Sequence, residues 1–235
     1  MNKIIKSPNE KVAFLYFDIE GELSFIAGQF VVFDIEIDNK SVKRSYSIAT
    51  SPNYLKEEKK IGVIVKLVTW WLVSNKLLNM KVGEKLKIIW PAWHMFLEEN
   101  FKQYNHVLIS TGSWLSPIYS ILQTLIENNS KKNTINIFWE RSNEYLIPQI
   151  ISCLTMSKEN IMSNIVLSRE VKDIWYSYTK WYVQVCLDKN MKEIKSRTGW
   201  TKRFICWQPA MVEDVYENLI NKYDIEKDDI SFEKY

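Results

Sequence analysis

Apolar residues fall in short blocks, partly alternating with polar ones, through the first ninety residues. KVAFLYFDIE (11–20) and SFIAGQFVVFDIEI (24–37) are rich in Val, Ile and Phe, which predicts two strands. Gly28-Gln29-Phe30 interrupts the second run and marks a turn or bulge. Asp38-Asn39-Lys40 predicts a turn into a strand over Arg44–Thr50, which Ser51-Pro52-Asn53 ends. The charged LKEEKK reads as a loop before the strand KIGVIVKLV (60–68). A short helical pattern, LVSNKLLNM (72–80), and a strand, EKLKIIW (84–90), follow. Several short strands with one small helix predict an antiparallel β-barrel or sandwich.

From residue 105 the texture changes. NHVLIST (105–111), TINIFWE (134–140), NIVLSRE (164–170), YVQVCL (182–187), KRFICW (202–207) and ISFEKY (230–235) read as strands. SPIYSILQTLIENN (116–129), YLIPQIISCLTM (145–156) and MVEDVYENLINKY (211–223) read as helices. In the first of these, Ile118, Ile121, Leu122 and Leu125 share a face. This alternation argues for an α/β doubly wound parallel sheet. The change of texture places a boundary near 98–104, with one domain over 1–100 and a second over 101–235.

Composition narrows the classes. The 46% hydrophobic content of the 235 residues supports a sizeable core. Net charge is +3 and the basic residues are scattered, which argues against nucleic acid. No apolar run reaches the roughly 18 residues of a membrane span. IGVIVKLVTWWLV is broken by Lys66, and MNKIIKSPNEK has no apolar signal-peptide core. A soluble, cytoplasmic protein is therefore expected. Cys153, Cys186 and Cys206 are odd in number and widely spaced, which argues against a disulfide framework, a zinc site or an iron–sulfur cluster. His94 and His106 have no partner pattern for a metal or a nucleophilic triad.

The run KRSYSIATSP carries the first candidate chemistry. In a strand of period 2, Arg44 and Tyr46 project to one face, and Ser45 and Ser47 to the other. One face can therefore offer a guanidinium to a pyrophosphate and a flat ring to a heterocycle. Other motifs accompany it. In order they are Gly28-Gln29-Phe30, Arg44-x-Tyr46-Ser47, Leu72-Val73-Ser74-Asn75, Pro91 before His94, Thr111-Gly112 through Pro117, Ser168-Arg169-Glu170, and Cys206 with Pro209 and Met211. With these motifs the chain resembles the ferredoxin–NADP reductase family over nearly its whole length.

The resemblance implies a role for each motif. Arg44 would hold a flavin pyrophosphate, Tyr46 would stack on the isoalloxazine, and Ser47 would hydrogen-bond near flavin N5. Leu72, Val73 and Ser74 would open a helix whose amides, with the Ser74 hydroxyl, face the phosphates. Thr111, Gly112 and Ser113, with Pro117, would receive a dinucleotide at the strand-to-helix turn. Ser168 and Arg169 would meet its adenosine end, where arginine favours NADP over NAD, and Arg141 is a further cofactor-binding candidate. Cys206 would sit beside the nicotinamide and Glu233 would relay a proton. Tyr235 would cover the flavin, which favours FAD over FMN. As residues alone, Cys206 also reads as a buried strand cysteine, Arg141 and Arg169 as surface charges, and Glu233 as a solvated carboxylate.

The implied activity is electron transfer between NAD(P)H and a separate ferredoxin- or flavodoxin-type carrier, since no cluster cysteines are present. Two alternatives stand beside it: the reductase component of an oxygenase or other multi-subunit system, and a non-catalytic flavin-binding or decayed module. The acceptor, the direction of electron flow and the oligomeric state are left open.

The departure from the family is in glycine. The chain has 10 Trp and 6 Gly, whereas average usage gives about 16 Gly. Trp70, Trp71, Trp90, Trp93, Trp114, Trp139 and Trp207 stand where the pattern has glycine, and Trp181 is an eighth. Trp175 and Trp200 have no such assignment. Such slots need positive φ or a backbone approaching phosphate with no side chain between. Two explanations compete. A UGA codon read as glycine in the source has been translated as tryptophan, or the indoles are real and the chain is an altered relative. Eight added to 6 gives 14 glycines, close to the expected number. The scarcity of arginine beside lysine fits an AT-rich genome, where UGA is reassigned.

Overall fold

The computed structural model describes the chain except residues 69–70, 93–94, 157, 170, 172–173, 175, 181–199, 208 and 235. The strand expected over 182–187 lies outside the described residues, as do Trp70, Trp93, His94, Trp175, Trp181, Cys186 and Tyr235.

The first part of the chain forms two three-stranded antiparallel sheets. One has the order β1 (Lys3–Lys6), β2 (Val12–Asp18), β5 (Lys60–Lys66); the other has the order β4 (Lys40–Ser47), β3 (Phe30–Ile37), β6 (Lys87–Ala92). A bridge between Ile48 and Val63 joins them. The unbroken apolar run of β2 has a physical reason. Ala13, Leu15 and Phe17 face the core between the two sheets, while Val12, Phe14 and Tyr16 face the second half of the molecule. Both faces are covered, so neither alternates to polar. The β3–β4 hairpin turns on Asp38 and Asn39, with φ of 50° and 58°, the mirror-image turn that suits the twist of a hairpin.

Four sequence expectations change here. Residues 24–29 form a loop, and the second strand begins only at Phe30. The charged LKEEKK segment lies largely in a helix, α1 (Pro52–Glu58). The Ser51 hydroxyl caps it by accepting from the Tyr54 amide at 3.1 Å, with Pro52 in the first turn. β1 was not anticipated, and β6 begins at Lys87 rather than residue 84.

Gly28 explains why the loop before β3 is needed. It sits at φ +102°, and a Cβ there would lie 2.6 Å from the Met95 carbonyl oxygen. Gly28→Ala is therefore expected to destabilise the protein by about 2–3 kcal/mol. An unchanged urea midpoint would contradict this packing.

Among the described residues, the second part forms a six-stranded parallel sheet. Its order is β10 (Thr179–Lys180), β9 (Ile161–Leu167), β8 (Thr134–Glu140), β7 (Asn105–Thr111), β11 (Thr201–Trp207), β12 (Ile230–Lys234). β9 lies three residues earlier than expected. From β7 the chain first adds strands on one side, then returns to add β11 and β12 on the other. This reversal places a topological switch point at the carboxyl ends of β7 and β11, where open α/β sheets take ligands.

Helix α3 (Leu115–Glu127) buries Ile118, Ile121, Leu122 and Leu125 in one cluster with Leu108 and Phe204 of the sheet and Val12, Phe14 and Tyr16 of β2. It is thus wedged between the two halves. Helix α4 (Pro148–Leu154) joins the same cluster, and α5 (Pro209–Asn221) covers the other face through Val212, Val215 and Leu219.

Candidate functional site

β4 carries the first group of candidates. The Tyr46 ring lies 5.4 Å from Phe33 at 38°, and burial pushes its phenol up to about 12, opposed by Arg44. That opposition agrees with Arg44 and Tyr46 sharing a face. Arg44 is exposed, with Nη1 donating to the Lys43 carbonyl at 2.8 Å. Ser47 is buried at the strand's end. The loop around Gln29 fixes that end. Its side-chain oxygen accepts from the Ile26 amide at 2.7 Å, and its carbonyl accepts from the Ile48 amide at 2.9 Å.

Helix α2 (Leu72–Leu78) follows β5. Leu72 is exposed and Val73 is buried in the inter-sheet core. Trp71, at the cap position, offers no side-chain acceptor. The buried Ser74 hydroxyl instead closes the turn, donating toward the Trp71 and Val68 carbonyls at 3.0 and 3.3 Å and accepting from the Val68 amide at 3.2 Å. In this structure it faces backbone.

The second group surrounds the switch point. Thr111 ends β7, Gly112 turns the chain at φ +54°, and Ser113 leads into α3, where Pro117 is buried. A Cβ on Gly112 would come within 3.3 Å of Glu140 Oε2 and 3.5 Å of Lys66 Nζ. The cradle therefore has a charged wall. Glu140 is buried at the end of β8, accepts from the Arg141 amide at 2.8 Å, and lies 3.7 Å from Lys66 Nζ, itself 4.9 Å above the Tyr145 ring. The Ser168 amide donates to the Glu140 carbonyl at 3.2 Å and the Arg169 amide to the Arg141 carbonyl at 2.9 Å. The ends of β8 and β9 thus gather Arg141, Ser168 and Arg169.

Cys206 pairs in register with Ser110 on one side and Glu233 on the other, so the three side chains form a row on one face of the sheet. That face is the one carrying Leu108 and Phe204, directed at α3 and β2. Complete burial holds the Cys206 thiol well above its usual range, and Glu233 adds to this, so the thiol is neutral. Glu233 is itself buried.

On the opposite face, Trp139 pairs with Thr111, and Trp207 follows Cys206. Their rings stack at 6.0 Å and 24° beside the end of β7, with Trp207 only 1% exposed. Trp114 is half-buried against the cluster around α3, and Trp71 is exposed.

Sequence reasoning missed Lys66, Glu140, Tyr145 and Ser110. Lys66 drew notice only for breaking an apolar run. Glu140 is a charge at the carboxyl end of a strand, but its partner is distant in sequence.

Residues 3–96 match the family model described as an oxidoreductase FAD-binding domain. The whole chain has a ferredoxin reductase-like fold. It superposes on the ferredoxin–NADP+ reductase of Plasmodium falciparum with 2'P-AMP at a TM-score of 0.77, with 19% identity over 95% of this chain and 88% of that one. It is 24% identical over 208 residues to the glycine betaine monooxygenase reductase subunit of Pseudomonas aeruginosa (strain UCBPP-PA14), covering 86% of this chain and 54% of that protein. It is also 24% identical over 214 residues to ferredoxin–NADP reductase B of Sorangium cellulosum (strain So ce56), covering 90% and 85%. The chain thus spans about half the length of the first of these relatives.

Among the described residues, no helix is long and apolar enough to cross a membrane, and no group of three or more His, Cys, Asp or Glu side chains could hold a metal ion.

Proposed function

We propose that the natural form of this chain is a flavin-dependent oxidoreductase, passing electrons between NAD(P)H and a separate one-electron carrier of the ferredoxin or flavodoxin type in the cytoplasm. Residues 1–100 form the flavin half and residues 101–235 the dinucleotide half. The observation that carries this reading is the match of residues 3–96 to an FAD-binding domain, joined to a parallel sheet whose switch point adjoins the buried row Ser110–Cys206–Glu233. Bound FAD supplies the redox chemistry, accepting a hydride and releasing electrons singly.

The chain's own residues bind, orient and exclude water. On the flavin side they fit: Arg44 is an exposed guanidinium free to meet phosphate, and Tyr46 presents a half-buried ring. Ser47 lies at the strand end nearest Ile48, and the neutral Cys206 thiol brings no charge to a nicotinamide. Thr111, Gly112 and Ser113 form the dinucleotide turn, while Arg141, Ser168 and Arg169 meet its adenosine end, with a 2′-phosphate favoured. Glu233 relays a proton, and Tyr235 is the residue to cover the flavin ring.

On the dinucleotide side the translated residues do not fit. The stacked Trp139 and Trp207 fill the carboxyl edge beside Thr111. In this reading the natural protein carries glycine at the eight slots, through a UGA codon read as glycine. An UGG codon at any of them would remove the idea there.

Anaerobic addition of NADPH or NADH to the FAD-loaded natural protein tests the function. Bleaching of the flavin band is expected, and a band unchanged by either dinucleotide would refute it. Arg44→Ala is expected to raise the flavin dissociation constant about 10–100-fold, equivalent to ~1.5–3 kcal/mol of charge-assisted bonding. Fluorescence titration reads this, and an unchanged constant would take Arg44 out of the site.

A second reading, the reductase component of an oxygenase, is favoured by the similarity to the glycine betaine monooxygenase reductase subunit, about half of whose length this chain spans. Co-purifying subunits would distinguish it. The tryptophan stack, taken literally, favours a module without turnover.

A further inference from the structure

Past Ser47, the flavin-side strand continues as Ile48-Ala49-Thr50-Ser51 and is held from two directions. On one side is β5: the Ala49 amide donates to the Gly62 carbonyl at 2.7 Å, and the Gly62 amide donates to Thr50 Oγ1 at 3.0 Å. On the other side is α3, the helix that begins at the Gly112 turn. Ser120 Oγ donates to the Thr50 carbonyl at 2.7 Å, the Ser51 amide donates to Gln123 Oε1 at 3.1 Å, and Ser51 Oγ donates to Glu127 Oε1 at 2.7 Å. Ser120, Gln123 and Glu127 are spaced i, i+3, i+7 on one helix face and cover about 10 Å of its axis. Thr50, Ser51 and Ser120 are essentially fully buried.

Packing alone does not require this arrangement. The apolar contacts of α3 already join the halves, and a buried carbonyl and amide need only one partner each. Here three side chains from one helix grip two consecutive residues, and the third bond falls on the Ser51 hydroxyl that also caps α1. The grip ties the end of the Arg44–Ser47 strand to the helix carrying the dinucleotide turn.

We propose that Ser120, Gln123 and Glu127 are positioning residues: their ladder to Thr50 and Ser51 sets the separation and angle of the flavin and dinucleotide halves, and thereby the alignment for hydride transfer. The proposal rests on the function given above. Misplacement of reacting groups by about 1 Å costs ~100-fold in rate, so a loosened ladder acts on the reduction rate before it acts on affinity.

The test uses the full-length natural protein loaded with FAD, the form to which the proposed function applies, with Ser120→Ala and Gln123→Leu combined, and Gln123→Glu, which keeps an acceptor for the Ser51 amide. Hydrogen exchange at the Ser51 amide reads the ladder without any turnover, and is expected to accelerate about tenfold in the double variant. Stopped-flow flavin reduction by NADPH is expected to slow at least about tenfold, with the dinucleotide dissociation constant within roughly twofold. Gln123→Glu is expected to stay near the unaltered rate. Ser120→Ala alone, expected to slow reduction about threefold, serves if the double variant fails to fold.

Faster exchange at Ser51 with an unchanged reduction rate would make the ladder merely structural and overturn the proposal. Unchanged exchange would overturn it too. A flavin that neither dinucleotide reduces in the natural protein without these substitutions refutes the function itself, and the alignment role falls with it. That outcome is read from the unsubstituted natural protein alone, so the two failures are distinguishable.

Discussion

Replacing Trp139 and Trp207 together by glycine is expected to tighten NADPH binding by about 100-fold or more, because the pair occupies the carboxyl edge at the switch point. The same substitution in a true core would be ruinous. Trp207 is 1% exposed, and truncating one buried tryptophan costs about 3–5 kcal/mol, with roughly 1 more for glycine in a strand. A natural core pair would therefore unfold on double substitution. If glycine is the native residue, the vacated volume belongs to the dinucleotide, and ligand at 100 times its dissociation constant restores about 2.7 kcal/mol. Thermal unfolding with and without NADPH separates the cases. The account expects an NADPH-dependent rise in Tm in the double variant and little in the translated chain. A double variant that unfolds, with no gain from NADPH, would contradict it.

The second large effect lies at the opposite end of the sheet. His106, near the start of β7, is 1% exposed, and burial pushes its imidazole down to about 4, slightly opposed by the Phe101 backbone. Its Nδ1 lies 3.5 Å from Thr134 Oγ1, and its ring is 5.0 Å from Tyr104. Lys202 is its register partner on β11 and is paired with Glu98 at 2.6 Å, so no free carboxylate among the described neighbours welcomes an imidazolium. The unfolded chain takes up this proton near pH 6.5 and the folded chain only near 4. The unfolded state therefore binds more protons between those values, and stability falls as pH drops through the window. The loss is about 2 kcal/mol by pH 5 and ~3 kcal/mol when both states are protonated. His106→Gln should remove this slope. Urea midpoints at pH 7 and pH 5 check it, since carboxylates titrating in both proteins cancel in the comparison. Equal losses in the two proteins would contradict the burial argument.

Much of the fold was legible because burial leaves a period in the sequence. Val31, Phe33 and Ile35 alternate along β3, and Ile118, Ile121, Leu122 and Leu125 mark the buried face of α3. Helix α1 was not legible. Only Leu55 of it is buried, so LKEEKK has no apolar face, and Ser51-Pro52, read as a strand end, was its cap. β1 is four residues long, too short to show a period.

The site divides in the same way. Arg44, Tyr46 and the Gly112 turn stood out because their chemistry is local to a few residues. Cys206 and Glu233 meet only through the β11–β12 register, so nothing but the family resemblance linked them beforehand. Lys66 and Glu140 come from β5 and β8, and their pairing depends on how the two halves dock. The α3 ladder is of this kind as well, for Ser51 and Glu127 become neighbours only after folding.

The central claim is that the natural protein carries glycine at the eight slots and holds FAD. Intact mass and an absorbance spectrum of one sample, purified from the source organism, test both parts together. The account predicts a mass below the 28.0 kDa of the translated chain by eight tryptophan-to-glycine differences, together with flavin absorption bands. A mass equal to the translated chain from a colourless sample would contradict it, leaving a reductase-like fold whose nucleotide edge is closed by its own indoles.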